Sequence, residues 1–108
     1  MKRVLVAGIM VTSLFTGSAS AAGASADAQT LAQRSSCMAC HGVGNKIVGP
    51  AFKDVAEKYK GDKGAEARLI QKVKNGGSGV WGSMPMPANT QMKDKDLKTL
   101  VHWILTLK

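Results

Sequence analysis

The sequence predicts an all-α domain over residues 27–108. The first observation is that apolar residues recur at three- and four-residue steps in several segments, which is the period of an amphipathic helix. The second is that clusters of glycine and proline separate these segments, and that no strand pattern surrounds the two cysteines of the chain. A chain of about 82 residues forms one domain by length and has only a marginal core of its own.

Residues 1–26 have the composition of a secretory signal peptide. Lys2 and Arg3 form a charged start, and the apolar run over residues 4–15 is too short to span a membrane. The small residues at 24–26 predict cleavage before Asp27, with 19–21 as a second choice. An uncleaved membrane anchor is the alternative. We expect export to the bacterial periplasm and no stable membrane insertion after cleavage.

Helices are predicted over residues 27–36, 51–60, 64–75 and 94–107. In the first helix Leu31 is the expected main apolar contact, with Ala28 and Ala32 beside it. The last helix is expected to pack across the first through an apolar face, with Trp103 and Leu107 at the border of that face. The face consists of Leu97, Leu100, Val101, Ile104 and Leu105.

The segment 37–41 reads Cys-Met-Ala-Cys-His, which is the attachment motif of a c-type haem. On one helical turn the thiols of Cys37 and Cys40 lie on the same side of the backbone, so each can add to one vinyl group of a single porphyrin. His41 then lies beneath the ring, where its imidazole can bind iron. The motif therefore predicts one covalently bound haem.

Other interpretations of this motif are a thioredoxin-like redox pair, a plain disulfide or a zinc site. A redox pair of that kind needs a βαβ context, which the sequence lacks. A four-cysteine zinc site fails because the chain has two cysteines. A zinc site of Cys37, Cys40 and His41 would need His102, which is expected to be a partly exposed residue of the last helix.

Methionine is the expected iron ligand on the opposite side of the ring, delivered by the glycine- and proline-rich loop 76–89. The alternatives in this loop are Met84 and Met86. Met86 lies between Pro85 and Pro87, which restrict the backbone to extended conformations and favour it as the ligand.

Three further residues are expected to support these ligands. The Pro50 carbonyl is the candidate acceptor for the second ring N–H of His41. The simpler interpretation is a proline that starts a helix, and the two are compatible. Asn89 could donate its side-chain amide to the methionine sulfur. The indole N–H of Trp81 should find a partner when buried, and a haem propionate is a good one.

The chain is basic, with a formal net charge of +8, and loss of Lys2 and Arg3 leaves about +6. Scattered basic residues and secretion argue against nucleic-acid binding. We expect instead a basic rim that guides docking to an acidic partner protein, with Lys46, Lys53 and Lys72 as candidates.

Over residues 27–108 the sequence resembles the small bacterial class I cytochromes c, most closely the cytochrome c-551 group. The segments that carry the resemblance are 37–41, 48–51, 53–56, 74–76, 79–82 and 85–89. One departure is Met84, where the family often has a branched apolar residue or leucine, and this second thioether keeps a ligand switch open.

The resemblance implies the class I cytochrome c fold, with four to five short helices wrapped around one covalently bound haem. The residues it implies are Cys37 and Cys40 for the thioether bonds, His41 and Met86 for the iron, and Pro50, Trp81 and Asn89 around them.

The function expected from this ligand set is one-electron transfer without enzymatic activity, by a monomer in the periplasm. The resemblance suggests a bc-type complex upstream and a nitrite reductase or terminal oxidase downstream. One alternative is a haem-based small-ligand sensor or redox enzyme subunit with a labile methionine ligand. Another is a thiol redox protein without haem.

Overall fold

The computed structural model describes residues 8, 10–14 and 21–108, with the side chains of 21–24 excluded. These residues contain four α-helices and one 3-10 turn, and no named strand, which confirms the all-α prediction. The elements are α1 (Ala21–Arg34), the 3-10 turn (Cys37–Ala39), α2 (Phe52–Lys58), α3 (Ala65–Asn75) and α4 (Asp94–Thr106).

Most of the predicted signal peptide, including Lys2 and Arg3, lies outside the described residues. Cleavage before Asp27 therefore stays a prediction. Within the described ranges, no helix is long and apolar enough to cross a membrane.

Helix α4 is the centre of the core, because it packs against α1, α2 and α3. Leu97, Leu100 and Val101 are fully buried. The prediction for Trp103 was wrong: it is buried rather than at the border of the apolar face, because its ring packs edge-on against Phe52 at 5.8 Å between centroids. Leu105, predicted on the buried face, is only half-buried.

The predicted packing of the last helix across the first is confirmed by the contact of α1 with α4. The residues that make it differ from the prediction. Ala28 and Ala32 are completely buried, whereas Leu31 is half-buried. The separation of two packed helices depends on the size of the side chains at their contact, so two alanines let α1 lie close to α4.

The first helix ends two residues earlier than predicted and begins six residues earlier, at Ala21. Its end is set by Ser36, which has left-handed backbone angles (φ 62°, ψ 17°) and is the only described residue other than glycine with a positive φ. This conformation costs roughly 1–2 kcal/mol for a residue with a Cβ. It redirects the chain from α1 into the 3-10 turn that begins at Cys37.

Candidate functional site

A cleft of about 370 Å³ opens between the 3-10 turn, α2, α3, α4 and the loop 76–89. Its lining is mainly apolar, with Leu69, Val73, Leu100 and Ile104 from α3 and α4. Six of the seven sequence-predicted site residues line it: Cys37, Cys40, His41, Pro50, Trp81 and Met86. The seventh, Asn89, lines a second, adjoining cavity together with Met86.

The two cysteines lie at either end of the 3-10 turn. The backbone N–H groups of Cys40 and His41 both donate to the Cys37 carbonyl, at 3.1 and 2.9 Å. Side chains three residues apart eclipse in 3-10 geometry, so both thiols are presented on one side. Both thiols are free and half-buried. Burial raises the pKa of the Cys37 thiol, a backbone hydrogen bond opposes this rise, and the neighbouring Cys40 adds to it.

The imidazole of His41 is oriented by Pro50. Its Nδ1 lies 2.7 Å from the Pro50 carbonyl oxygen, a distance at which Nδ1–H donates a hydrogen bond. With Nδ1 engaged in this way, Nε2 is the ring nitrogen left to bind a metal ion.

The loop between His41 and α2 is held in place by backbone hydrogen bonds. The N–H groups of Val48 and Gly49 donate to the Cys40 carbonyl, at 3.1 and 2.7 Å. At the start of α2, Phe52 N–H donates to the Gly42 carbonyl at 2.9 Å. These bonds join the cysteine motif to α2 and bring Pro50 behind the His41 ring.

Two neighbours pack against the His41 imidazole. Phe52 stacks on it, with ring centroids 5.1 Å apart and planes inclined by 20°. Gly49 lies so close that a Cβ at this position would be 2.5 Å from His41 Cε1 and 2.9 Å from Nδ1. The ring is therefore held by the Pro50 hydrogen bond and by stacking on Phe52. Gly49 has no side chain, which lets the backbone lie directly against the ring.

Met86 and Met84 both line the cleft, but their environments differ. Met86 is half-buried, and its backbone forms an antiparallel bridge with Gly77. Gly77 N–H donates to the Met86 carbonyl at 3.0 Å, and Met86 N–H donates to the Gly77 carbonyl at 2.8 Å. Met84 has 66% of its surface exposed. The structure therefore holds Met86 at the cleft more firmly than Met84.

Asn89 organises the backbone after Met86. Its side-chain oxygen accepts hydrogen bonds from the backbone N–H groups of Gln91 and Met92, at 3.2 and 3.0 Å. Its own N–H donates to the Val73 carbonyl of α3 at 2.9 Å. The described residues include no hydrogen bond from Asn89 to Met86, so donation to the sulfur stays a proposal.

Trp81 is 44% exposed at the mouth of the cleft. The ammonium group of Lys58 lies 5.4 Å from the centre of the Trp81 ring, which is within the range of a cation–π interaction. The sequence did not indicate this contact, because Lys58 lies on α2, far from Trp81 along the chain.

His102 does not line the cleft that contains the two cysteines. Its side chain is 71% exposed, and Nδ1 lies 3.6 Å from a carboxylate oxygen of Glu66 on α3. No group of three or more histidine, cysteine or acidic side chains that could hold a metal ion occurs among the described residues. The arrangement therefore gives no support to a zinc site built from Cys37, Cys40, His41 and His102.

The residues at the cleft fit a covalently attached haem. Cys37 and Cys40 present two free thiols on one side of a turn, and His41 follows with Nε2 available for iron. The walls are mainly apolar, as a flat and largely apolar ring requires. A thioether is present in the same cleft at Met86.

Comparison with known proteins gives consistent matches. A family model for cytochrome c matches residues 25–108. Cytochrome c-551 of Pseudomonas aeruginosa is 47% identical over 100 residues, which cover 92% of this chain and 95% of that protein. Cytochrome c-551 of Allochromatium vinosum is 53% identical over 93 residues, covering 86% and 98%. The crystal structure of wild-type Nitrosomonas europaea cytochrome c552 matches with a TM-score of 0.71 and 51% identity, covering 74% of this chain and 99% of that one.

Proposed function

The chain belongs to the cytochrome c family, and we propose that it is a periplasmic electron shuttle whose haem iron is bound by His41 and Met86. Membership confirms the resemblance to the c-551 group, the class I fold and one covalently bound haem c. It also supports the general role of a monohaem electron carrier. The periplasmic location, the two iron ligands and the partners are the proposal.

One observation carries the proposed ligand set. A single cleft contains both thiols, the His41 imidazole and the Met86 thioether. Cys37 and Cys40 would form the two thioether bonds, and His41 would bind the iron through Nε2 because Nδ1 is bonded to Pro50. This hydrogen bond fixes the plane of the imidazole and makes it a stronger electron donor.

Electron transfer at such a site depends on residues that stay in place. When bound, the haem supplies an iron that gains and loses a single electron. His41 is fixed by Pro50 and Phe52, and the Met86 backbone is fixed by Gly77. Because the His41 ring and the Met86 backbone are held by the protein, we expect little rearrangement between the two oxidation states. The methionine ligand and the apolar walls favour the ferrous state, so the reduction potential should be relatively high.

The proposed docking rim consists of Lys46, Lys53 and Lys72. Lys46 and Lys53 are exposed, and Lys46 and Lys72 line the cleft. Positive charges around the opening of the cleft would speed encounter with an acidic redox protein at low ionic strength. We propose a bc-type complex as donor and a nitrite reductase or terminal oxidase as acceptor.

The test is to express the full chain with its signal sequence in a bacterium that attaches haem to exported proteins. We expect periplasmic protein that retains its haem after denaturation, because the thioether bonds are covalent. A Cys37→Ser, Cys40→Ser variant should lose the haem under the same treatment. A wild-type protein that releases haem on denaturation would refute covalent attachment.

The same preparation separates an electron shuttle from a ligand-binding haem protein. If His41 and Met86 both bind iron, carbon monoxide should bind the reduced protein only slowly, since the methionine must first leave. Rapid and complete carbon monoxide binding would contradict the shuttle with a fixed methionine.

A further inference from the structure

The segment that contains Met86 closes on the end of α3. After Asn75 the chain turns at Gly76, runs out through the exposed residues 78–85, and returns to pair Met86 with Gly77. Three residues after Met86, Asn89 donates its N–H to the Val73 carbonyl on the last turn of α3. The backbone is therefore bonded at Met86 itself to Gly77, two residues beyond the end of α3, and at Asn89 to the last turn of α3.

Gly76 is the position where this closure is tightest. A Cβ on Gly76 would clash with the Met86 carbonyl oxygen, and it would lie 2.7 Å from the Ala88 nitrogen. Both are backbone atoms, which cannot rotate away as the end of a flexible side chain can. Gly76 also has a positive φ of 68° and donates its N–H to the Lys72 carbonyl at 2.7 Å.

The tip of the same loop is different. Gly79 N–H donates to the Gly82 carbonyl at 2.8 Å, and a Cβ at either glycine would meet no atom within 4 Å. Val80 and Met84 are also exposed there. Close backbone packing is thus found at the base of the loop, where Met86 lies, and not at its tip.

We propose that Gly76 is a positioning residue for the methionine ligand: the absence of a Cβ lets the Met86 backbone lie against the end of α3 and so keeps its sulfur at the iron. This inference rests on the proposed role of Met86. It assigns part of the control of the iron–sulfur bond to the end of α3.

The test compares Gly76→Ala with Gly61→Ala. Gly61 is a control for the positive φ, which is 78° there, because a Cβ at Gly61 would meet nothing within 4 Å. Both variants carry backbone strain at a positive φ, and only Gly76→Ala clashes with the Met86 segment. Imidazole is the probe, titrated into the ferric holoprotein, because it binds the iron only when the methionine has left.

The apparent imidazole affinity rises in proportion to the fraction of protein whose methionine is dissociated. We expect Gly76→Ala to raise that affinity by roughly tenfold or more, and Gly61→Ala to leave it within about twofold of wild type. The long-wavelength absorption band that marks the ferric iron–methionine bond should lose intensity in Gly76→Ala and not in Gly61→Ala. Equal affinities in the two variants would overturn the inference while leaving the ligand assignment intact. Absence of the band from the wild-type protein would overturn both.

A second measurement needs no variant, in case Gly76→Ala does not yield holoprotein. Amide hydrogen exchange in the wild-type holoprotein should be at least about tenfold slower at Met86 than at Trp81, whose N–H has no backbone acceptor among the described hydrogen bonds. Similar protection factors at Met86 and Trp81 would overturn the inference, because the pairing with Gly77 would then not persist in solution.

Discussion

The carbonyl oxygen of Pro50 lies 2.7 Å from Nδ1 of His41 and leaves Nε2 as the ring nitrogen available to bind a metal ion. The contact joins residues nine positions apart and depends on a loop that is held by hydrogen bonds to the Cys40 carbonyl. Gly49, immediately before Pro50, lies against the same ring. This end of the loop therefore determines the orientation of His41.

Gly49→Ala should destabilise the holoprotein. A Cβ 2.5 Å from His41 Cε1 must displace the ring or the loop, and overpacking of this kind costs about 1–3 kcal/mol of unfolding free energy. The reduction potential should also rise, because a strained hydrogen bond to Pro50 makes the imidazole a weaker donor. Denaturant unfolding and a redox titration measure the two effects.

The control for this variant is Gly44→Ala in the same loop. A Cβ there would meet only the flexible Lys53 side chain, at 3.9 Å, so we expect a change within about 0.5 kcal/mol. If Gly49→Ala were as stable as Gly44→Ala and had an unchanged potential, the close packing of the loop on His41 would have no energetic role.

Phe52→Ala should be more severe. Phe52 is 4% exposed and joins His41 to Trp103, with a stacked contact on one side and an edge contact on the other. Loss of a buried phenylalanine costs about 3–5 kcal/mol. Ile47→Ala, at a 50% exposed position outside the cleft, should change the unfolding free energy by less than about 0.5 kcal/mol. Thermal or denaturant unfolding of the ferric protein measures both, and equal effects would refute a core role for Phe52.

Lys46→Glu should slow reduction by the hexacyanoferrate(II) anion. Lys46 is exposed and lines the cleft, so reversing its charge weakens the attraction of the anion to the cleft. A fewfold decrease in rate, roughly twofold to fivefold, is expected at low ionic strength, with little effect at high salt.

Lys98→Glu is the charge-matched control for Lys46→Glu. Lys98 is exposed on α4 and does not line the cleft. Stopped-flow rates at two salt concentrations compare the variants. An equal decrease in both would assign the effect to net charge and would exclude a local role for Lys46 in steering.

The sequence predicted each α-helix because the stripes of apolar residues have the helical period, and it predicted the cysteine motif because that motif is local. The sequence predicted too little burial for Trp103 and too much for Leu31, because the burial of these side chains depends on which helix lies opposite. Ala28 and Ala32 make the close contact of α1 with α4, because their small side chains let the two helices approach.

The supporting contacts around the site were predicted unevenly. The pairing of Pro50 with His41 follows from the chemistry of a proximal histidine, and the structure places the two groups at bonding distance. The bridge between Gly77 and Met86 joins residues nine positions apart, and the sequence indicated the glycines only as part of a loop. The contact of Lys58 with Trp81 joins two separate segments, which no local pattern can indicate.

The most direct test of Met86 as the iron ligand is the ferric absorption spectrum of Met86→Ala beside that of Met84→Ala. These variants remove one thioether each from positions two residues apart in the same cleft. We predict that Met86→Ala loses the long-wavelength band of the iron–methionine bond and binds carbon monoxide rapidly when reduced, while Met84→Ala keeps the band and the slow binding. Loss of the band in Met84→Ala with its retention in Met86→Ala would contradict the proposed ligand.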